Sequence, residues 1–241
     1  MSDFQLFPTT HWSLVARAGE DPSAAQRDAL GELLKRYLPA FRTYLMTKYR
    51  FPADQADDVA AGFVASRLVE QNLIGKADAD RGKFRNFLMT ALERYAIDQQ
   101  RQDRAAKRGG GRDQDNVMDV GERASGRPGE DPAEAFDASW AREVIRTAVE
   151  RMRAQTEQTR PDLWGVFADR VLGPTFDGTE PTAHAELVRR LGFKDEGQAA
   201  NALQTAKRIF ARTIRGVVAE YATTADEVDA EVGELMAALG R

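Results

Sequence analysis

The sequence contains no cysteine and only two histidines, His11 and His184, among its 241 residues. The absence of cysteine excludes disulfide bonds, thiol nucleophiles and thiolate metal sites. No apolar run approaches the roughly 20 residues that a membrane-spanning helix needs. The first eight residues lack a basic segment followed by an apolar core, so no secretory signal is predicted. We therefore expect a cytoplasmic protein that holds no metal and no cofactor.

A recognisable set of catalytic residues is also lacking. His184 and Glu186 have the spacing of a deaminase His-x-Glu pair, but the Cys-x-x-Cys motif that completes such a zinc site is absent. Glycines 109–111 follow no predicted strand and open no predicted helix, which argues against a phosphate-binding loop. The aspartates in residues 54–58 are expected at a helix start from the helix dipole alone. We therefore expect a binding protein and not an enzyme.

No segment has the two-residue alternation of a half-buried strand, whereas three- and four-residue apolar spacing recurs along most of the chain. This spacing predicts an all-α fold, with a first helix that Pro39 kinks or breaks. A turn at residues 51–54, which includes an N-cap, leads into a second helix, and a turn at residues 75–82 precedes a third. The predicted apolar stripes of the three helices contain Leu30, Leu33, Leu34, Tyr37, Phe41 and Leu45; Ala56, Val59, Ala60, Phe63, Val64 and Leu68; and Phe84, Phe87, Leu88, Ala91, Leu92, Tyr95 and Ile97.

Charge is strongly segregated along the chain, although the net charge is only −4. Residues 81–112 contain nine basic and three acidic residues, and residues 197–219 contain four basic residues and no acidic one. Between these blocks, residues 113–137 contain eight acidic and two basic residues. Each basic block predicts a surface that binds nucleic-acid phosphates.

Residues 105–137 are rich in glycine and polar groups and have few large apolar side chains. Such a segment buries too little surface to offset its ordering entropy, which predicts a flexible acidic linker. The sequence therefore predicts two small helical domains, residues 1–104 and 138–222, followed by a separate acidic helix at residues 223–241.

The second domain contains a helix-turn-helix pattern. Residues 182–191 predict a short helix, Gly192 its C-cap, Asp195 the next N-cap, and a long second helix follows. Ala199, Ala202, Leu203 and Ala206 are predicted to form its packing face. The other side carries the predicted base contacts Gln198, Asn201 and Gln204 and the predicted phosphate contacts Lys207, Arg208 and Arg212.

The last predicted helix begins with Thr224 and Glu227, which have the spacing of a capping box. Its apolar stripe contains Val228, Val232, Leu235, Met236 and Leu239. Its acidic residues Asp226, Glu227, Asp229, Glu231 and Glu234 are expected to remain in solvent. Two interpretations stay open: the helix packs back on its own domain, or it is an autoinhibitory or partner helix that competes for a basic surface.

The first basic block resembles region 2 of the extracytoplasmic-function sigma factors. In that family a Phe-Arg pair, an aromatic-Leu pair, an alanine, an aspartate and an arginine-rich run form the helix that reads and helps to melt the minus-ten promoter element. The matching run here extends from Arg81 through Asp98 to Arg108. The resemblance implies phosphate contacts by Arg85, Arg94, Arg101, Arg104, Lys107 and Arg108. Phe84, Phe87 and Tyr95 include candidates to stack on a flipped base, but Phe84 and Phe87 are expected in the core because they share a face with Leu88.

Other segments resemble the same family in the same order. Residues 54–68 resemble the part that binds the polymerase clamp, which implies polymerase contacts by Asp54, Asp57, Asp58 and Phe63. Residues 9–15 resemble a leader found in one branch of the family. The helix-turn-helix resembles region 4, which reads the minus-thirty-five element.

The resemblance implies an alternative sigma factor whose partners are core RNA polymerase and promoter DNA. A polymerase-independent helix-turn-helix regulator is the main alternative, and a helical protein that binds only other proteins is a third. Family members commonly carry a polar pair where this chain has Ala60-Ala61-Gly62. Because Ser/Thr kinases switch some members and Ser66 is the only hydroxyl in residues 53–70, we hypothesise that phosphorylation of Ser66 makes polymerase binding conditional. An anti-sigma factor is another possible partner.

Overall fold

A computed structural model describes Val15, Ala18, Gly19, residues 24–77, 83–109, 131–220, Ala222 and 224–239. Within these ranges the secondary structure is helical and no strand occurs, which confirms the predicted all-α class. The predicted leader up to residue 14 and the middle of the predicted linker lie outside the described residues. The α-helices are α1 (Ala24–Tyr49), α2 (Ala53–Phe63), α3 (Phe84–Gly109), α4 (Pro132–Thr156), α5 (Pro161–Phe167), α6 (His184–Leu191), α7 (Glu196–Val218) and α8 (Ala225–Leu239).

Two of the helices continue into turns of different pitch. After α2 the chain forms π-helical turns at Val64–Glu70 and a short 3₁₀ helix at Leu73–Lys76. After α5 it forms π-helical turns at Ala168–Asp177, which end at Gly178 in the left-handed region with φ 64°. Asn72, with φ 44°, separates the first π-helical turns from the 3₁₀ helix.

Pro39 lies inside α1, and the expected break does not occur. Proline lacks the N–H that would bond one turn back, yet α1 continues to Tyr49 because its apolar stripe is held from both sides. Tyr37 and Phe41, which flank the proline, are almost completely buried. The Thr43 hydroxyl donates to the Pro39 carbonyl at 2.9 Å. The predicted stripe is otherwise confirmed.

The first compact unit contains the described residues up to Glu143 and those from Val218 onward. Its core is an aromatic cluster to which α1, α2, α3 and the first half of α4 contribute. The largest buried side chains of this cluster are Trp140, Tyr37, Phe41, Phe63, Phe84 and Phe136.

Helix α4 begins at Pro132, within the segment that was expected to be linker up to residue 137. The reason is tertiary: Phe136 is buried against α1, with its ring centroid 6.3 Å from that of Phe41. The Asp131 carboxylate caps the new helix by accepting from the Ala133 N–H at 2.9 Å. At the other end of the expected linker, α3 extends to Gly109 and not to residue 104.

The second compact unit is Val144–Val217, which is inserted into the sequence of the first. Its core contains Met152, Leu163, Val166, Phe167, Leu187, Phe193, Ala199, Ala202, Leu203 and Ala206. The sequence analysis did not predict α5, although Pro161 at its first turn and the acidic Asp162 are typical helix-start signals. A Cβ at Gly165 would lie 2.7 Å from a methyl of Leu191, so glycine permits α5 and α6 to pack closely.

The expected domain boundaries differ from these units at the carboxyl end. Residues from Val218 onward belong to the first unit, whereas the sequence assigned residues up to 222 to the second domain and the last helix to neither. None of the helices in the described ranges combines the length and the apolar character needed to cross a bilayer.

Candidate nucleic-acid interface

The helix-turn-helix forms as the sequence predicts. Helix α6 ends at Gly192, which adopts φ 74°, a conformation that favours glycine. Phe193 is buried and anchors the turn in the core of the second unit. Asp195 caps α7, because its carboxylate accepts from the Gln198 N–H at 2.7 Å. The turn therefore fixes the direction in which α7 leaves it.

Gln198 takes part in this cap from the other side. Its side-chain oxygen accepts from the Lys194 N–H at 2.6 Å, so the two side chains satisfy backbone groups reciprocally. Gln198 is also a predicted base contact. It is exposed, and its side-chain oxygen is engaged in the cap, so its amide N–H groups are the part that remains for such a contact.

The packing face of α7 is confirmed. Ala199, Ala202, Leu203 and Ala206 are buried. They belong to the same buried cluster as Leu163 of α5 and Leu187 of α6. The opposite side is therefore fixed as the solvent face of the helix.

Five predicted contact residues occupy this solvent face: Asn201, Gln204, Lys207, Arg208 and Arg212 are all exposed. Asn201, Arg208 and Arg212 are separated by seven and four residues, which aligns them in one stripe along the helix. Gln204 and Lys207 both lie to one side of this stripe, and Lys207 is the farther from it. Within the described residues, none of these three cations forms an ion pair. We call this surface, residues 201, 204, 207, 208 and 212, the α7 face.

A second basic surface lies on α3. Arg94 and Arg101 are exposed and are seven residues apart, so they project from the same side two turns apart. Arg104, Lys107 and Arg108 continue the same helix, but their side chains lie outside the described residues. We call the side carrying Arg94 and Arg101 the α3 face.

Two acidic residues of this basic block are engaged by cations on other helices. Glu93 forms an ion pair with Lys48 of α1. Asp98 pairs with Arg67, at 3.6 Å. These carboxylates are therefore partly neutralised, which leaves the α3 face more positive than the sequence count alone indicates.

Arg85, which is also predicted as a DNA contact, does not lie on this open surface while α8 is packed against it. Its side chain is only 7% exposed, and its guanidinium lies 5.0 Å from the centroid of the Trp140 ring. Burial by itself lowers the pKa of Arg85, but carboxylates from Asp137, Glu231 and Glu234 outweigh it and hold the pKa above its ordinary value. Arg85 is therefore a cation enclosed by acidic groups.

The aromatic residues of α3 are mainly structural. Phe84 is buried edge-on against Tyr37, with 5.7 Å between ring centroids, which confirms its predicted place in the core. Phe87 stacks on Phe84 and is half-buried. Tyr95 is also half-buried, with its ring 5.8 Å from that of Phe63. None of the three is a freely exposed stacking platform.

The acidic start of α2 is on the surface. Asp54, Asp57 and Asp58 are exposed, and Asp57 pairs with Arg42 at 2.9 Å. Phe63, the fourth predicted polymerase contact, is completely buried. The prediction for Phe63 is therefore corrected, because a side chain with no exposed surface cannot contact a partner.

The unusual Ala60-Ala61-Gly62 run has a structural cause that sequence reasoning missed. Ala60 is buried, and a Cβ at Gly62 would lie 2.5 Å from the Tyr95 hydroxyl oxygen. A side chain at residue 62 would therefore require the Tyr95 hydroxyl to shift. Ser66, four residues later, is half-buried, and its hydroxyl donates to the Gly62 carbonyl at 2.9 Å.

Helix α8 differs most from expectation. The Thr224–Glu227 capping box is confirmed, with both reciprocal bonds at 3.2 Å. However, Glu231 is buried, and both Glu231 and Glu234 form ion pairs with Lys83 and Arg85 at the start of α3. The expectation that these carboxylates remain in solvent is wrong for Glu231, whereas Glu234 is exposed although it is paired.

Comparison of the chain with protein-family models, with curated proteins and with solved structures finds no match. The functional assignment therefore depends on the surfaces described above: the α7 face, the α3 face and the acidic start of α2.

Proposed function

We propose that this chain is an alternative sigma factor of the extracytoplasmic-function type, which binds core RNA polymerase and directs it to specific promoters. In this proposal the α7 face reads the minus-thirty-five element and the α3 face reads the minus-ten element. The acidic start of α2 binds the polymerase clamp. The protein acts in the cytoplasm by binding alone and supplies no catalytic group.

The observation that carries the proposal is the α7 face. Amide side chains capable of base contacts lie in line with arginines, on the second helix of a helix-turn-helix whose other side is buried. Asparagine and glutamine read base edges, and arginine and lysine bind phosphates or guanine. Residues 197–219 contain no carboxylate, so the exposed side of α7 carries cations without anions over this range. Packing of the helix does not require this bias.

The first unit favours a sigma factor over a simple regulator. A regulator needs only the helix-turn-helix, whereas this chain adds a second cationic helix face at Arg94 and Arg101. The same unit also has an exposed acidic surface at Asp54 and Asp58. Because the two surfaces have opposite charge, they suit different partners, one of them a polyanion and the other a basic protein surface.

We further propose that polymerase binding is conditional on Ser66. A phosphate on Ser66 would add a charge of about −1.5 to −2 in the π-helical turns that follow α2. It would also replace the hydrogen bond from the Ser66 hydroxyl to the Gly62 carbonyl. A Ser/Thr kinase would then be the activating partner, and an anti-sigma factor remains an alternative means of control. Equal binding of the polymerase clamp by S66A and S66D proteins would contradict this part of the proposal.

The test is co-purification with bacterial core RNA polymerase. We expect the unchanged chain, or S66D if phosphorylation is required, to co-elute with core enzyme, and D54N/D58N to bind more weakly. D226N/D229N removes the same charge from exposed positions on α8 and serves as the matched control. Salt-dependent binding of DNA without any polymerase association would instead establish a polymerase-independent regulator. Binding to neither would leave a protein that interacts only with other proteins.

A further inference from the structure

Two arginines of the first unit are almost completely buried. Arg36 on α1 is 1% exposed and Arg85 on α3 is 7% exposed. A buried guanidinium is costly unless carboxylates pair with it. Arg36 pairs with Glu220 at 2.7 Å, and Arg85 pairs with Glu231 and Glu234. These three glutamates all follow α7, so the carboxyl-terminal part of the chain contributes to neutralising both buried cations, together with Glu32 beside Arg36 and Asp137 beside Arg85.

The contact between α8 and α3 has a defined geometry. Glu231 and Glu234 are three residues apart and therefore share one side of α8. They face Lys83 and Arg85, which lie two residues apart at the start of α3. Lys83 is 3.0 Å from Glu231 and 2.6 Å from Glu234, and Arg85 is 3.3 Å from Glu231. Lys83 thus has two anionic partners, and Arg85 has the same two together with Asp137 of α4 at 3.6 Å. We call Lys83 and Arg85 the basic pair.

The basic pair belongs to the same block that carries the α3 face. Lys83 immediately precedes α3 and Arg85 lies in its first turn, on the helix where Arg94 and Arg101 are exposed. Lys83 and Arg85 are paired with carboxylates of α8, whereas Arg94 and Arg101 are exposed. Carboxylates and phosphates are alternative anionic partners for such cations.

We propose that α8 is an intramolecular competitor, which masks Lys83 and Arg85 and is displaced from them when the first unit binds nucleic acid. This inference rests on the proposed function, because it assumes that α3 binds phosphates. In this proposal Lys83 and Arg85 bind phosphates only when α8 is displaced, and they then extend the α3 face.

Part of the contact between α8 and the basic pair is open to solvent. Glu234 is 49% exposed, and Lys83 is 34% exposed, so salt and competing anions reach this ion pair directly. Burial raises the pKa of Glu234, but Lys83 and Arg85 outweigh it, and the pKa lies below its ordinary value. The carboxylate therefore stays charged and competes as an anion at neutral pH. On the apolar side, Val228 and Leu235 are buried and keep α8 docked when no competitor is present.

Helix α8 and the residues that flank it also carry much of the net negative charge of the chain. Removing residues 222–241 takes away five acidic residues and one arginine, which brings the formal net charge from −4 to 0. Undocking α8 does not remove this charge, but it separates the acidic helix from the basic block.

The test compares E231Q/E234Q with D226N/D229N in the full chain, so that both proteins lose two negative charges from α8. Binding of labelled duplex DNA and of heparin is measured by fluorescence anisotropy between 50 and 200 mM salt. Two additional phosphate contacts steepen the salt slope by about 1.8, so the advantage of E231Q/E234Q falls about tenfold over this range. Adding K83Q/R85Q should abolish that advantage. Equal affinities and slopes of the two acidic variants for heparin would overturn the proposal.

Heparin separates this inference from the proposed function. If heparin distinguishes the variants but duplex DNA binds to none of them, α8 masks a polyanion site and the sigma-factor proposal fails. If DNA binds in a manner that depends on α7, yet E231Q/E234Q behaves as its control, the masking proposal fails and the sigma-factor proposal stands.

A second measurement uses the unchanged protein. Hydrogen exchange of the α8 amides is followed with and without heparin. Displacement predicts faster exchange in residues 225–239 when heparin is bound, while α1 keeps its protection. Unchanged or slower exchange in α8 at saturating heparin would mean that this helix is a fixed part of the first unit and would contradict the proposal.

Discussion

Replacing two arginines of the α7 face tests the most specific structural assignment. Arg208 and Arg212 are exposed, lie one helical turn apart, and form no ion pair within the described residues. If each binds one DNA phosphate, R208Q/R212Q loses two contacts. Each contact contributes about 0.9 to the slope of log affinity against log salt, so the slope should become shallower by about 1.8.

This change in slope gives a measurable difference in affinity. Between 50 and 200 mM salt, a slope difference of about 1.8 corresponds to about tenfold. The variant should therefore bind DNA much more weakly than the unchanged protein at 50 mM salt and approach it as salt rises. Fluorescence anisotropy with a labelled promoter-length duplex, repeated at four salt concentrations, measures both quantities.

The matched control is R146Q/R153Q in the same unit. Arg146 and Arg153 are also exposed, but each already pairs with a glutamate four residues further along its own helix. The control removes the same net charge without touching the α7 face. If both double variants had the same salt slope, simple loss of positive charge would explain the result, and the assignment of α7 as a DNA-binding helix would be refuted.

Three further predictions concern the first unit. F63A should lower the free energy of unfolding by about 3–5 kcal/mol, because the ring is completely buried; a urea transition like that of the unchanged protein would contradict the assignment of Phe63 to the core. G62A should raise the free energy of unfolding by less than the roughly 1 kcal/mol that helix propensity alone predicts, because its Cβ would lie 2.5 Å from the Tyr95 hydroxyl, which must shift. Combination with Y95F should recover part of this shortfall, and additive effects would exclude a direct clash. Because its cationic partners hold the pKa of Glu234 below its ordinary value, its contribution to stability is complete above the unfolded-state pKa and is lost as the pH falls through the lower folded-state pKa. The acid-induced loss of stability should therefore be smaller in E234Q than in the unchanged protein, and identical pH profiles would argue against the ion pairs.

Helix identity and the helix-turn-helix could be predicted because their signals are local. The stripe around Phe41, the left-handed turn at Gly192 and the capping box at Thr224 depend on residues within a few positions of one another. The structure confirms each of them. The break at Pro39 was a local inference too, but burial on both sides of the proline outweighed it.

The errors arose where a distant segment decides the outcome. Phe136 lies in an acidic stretch that resembles a linker, and it is ordered only because its ring is buried against α1. Glu231 has the spacing of a solvent-facing residue, but its partners lie almost 150 positions earlier, at Lys83 and Arg85. Periodicity identifies which side of a helix a charge occupies and contains no information about the charge that faces it.

The position of a residue within a family motif did not predict whether its side chain is buried. Arg85 and Phe63 were assigned to partners because of where they stand in a family pattern, whereas both side chains are almost or completely buried. Exposed residues assigned in the same way, such as Arg94 and Asp58, remain available for the predicted contacts.

Start-site-specific transcription tests the central proposal most directly. Core RNA polymerase is combined with the purified chain, or with S66D, on DNA from upstream of its own coding sequence, and transcript 5′ ends are mapped. We expect transcripts from a defined start site that require the added chain and are strongly reduced with R208Q/R212Q. If core enzyme with either protein produced no more specific transcript than core enzyme alone, the sigma-factor proposal would be contradicted.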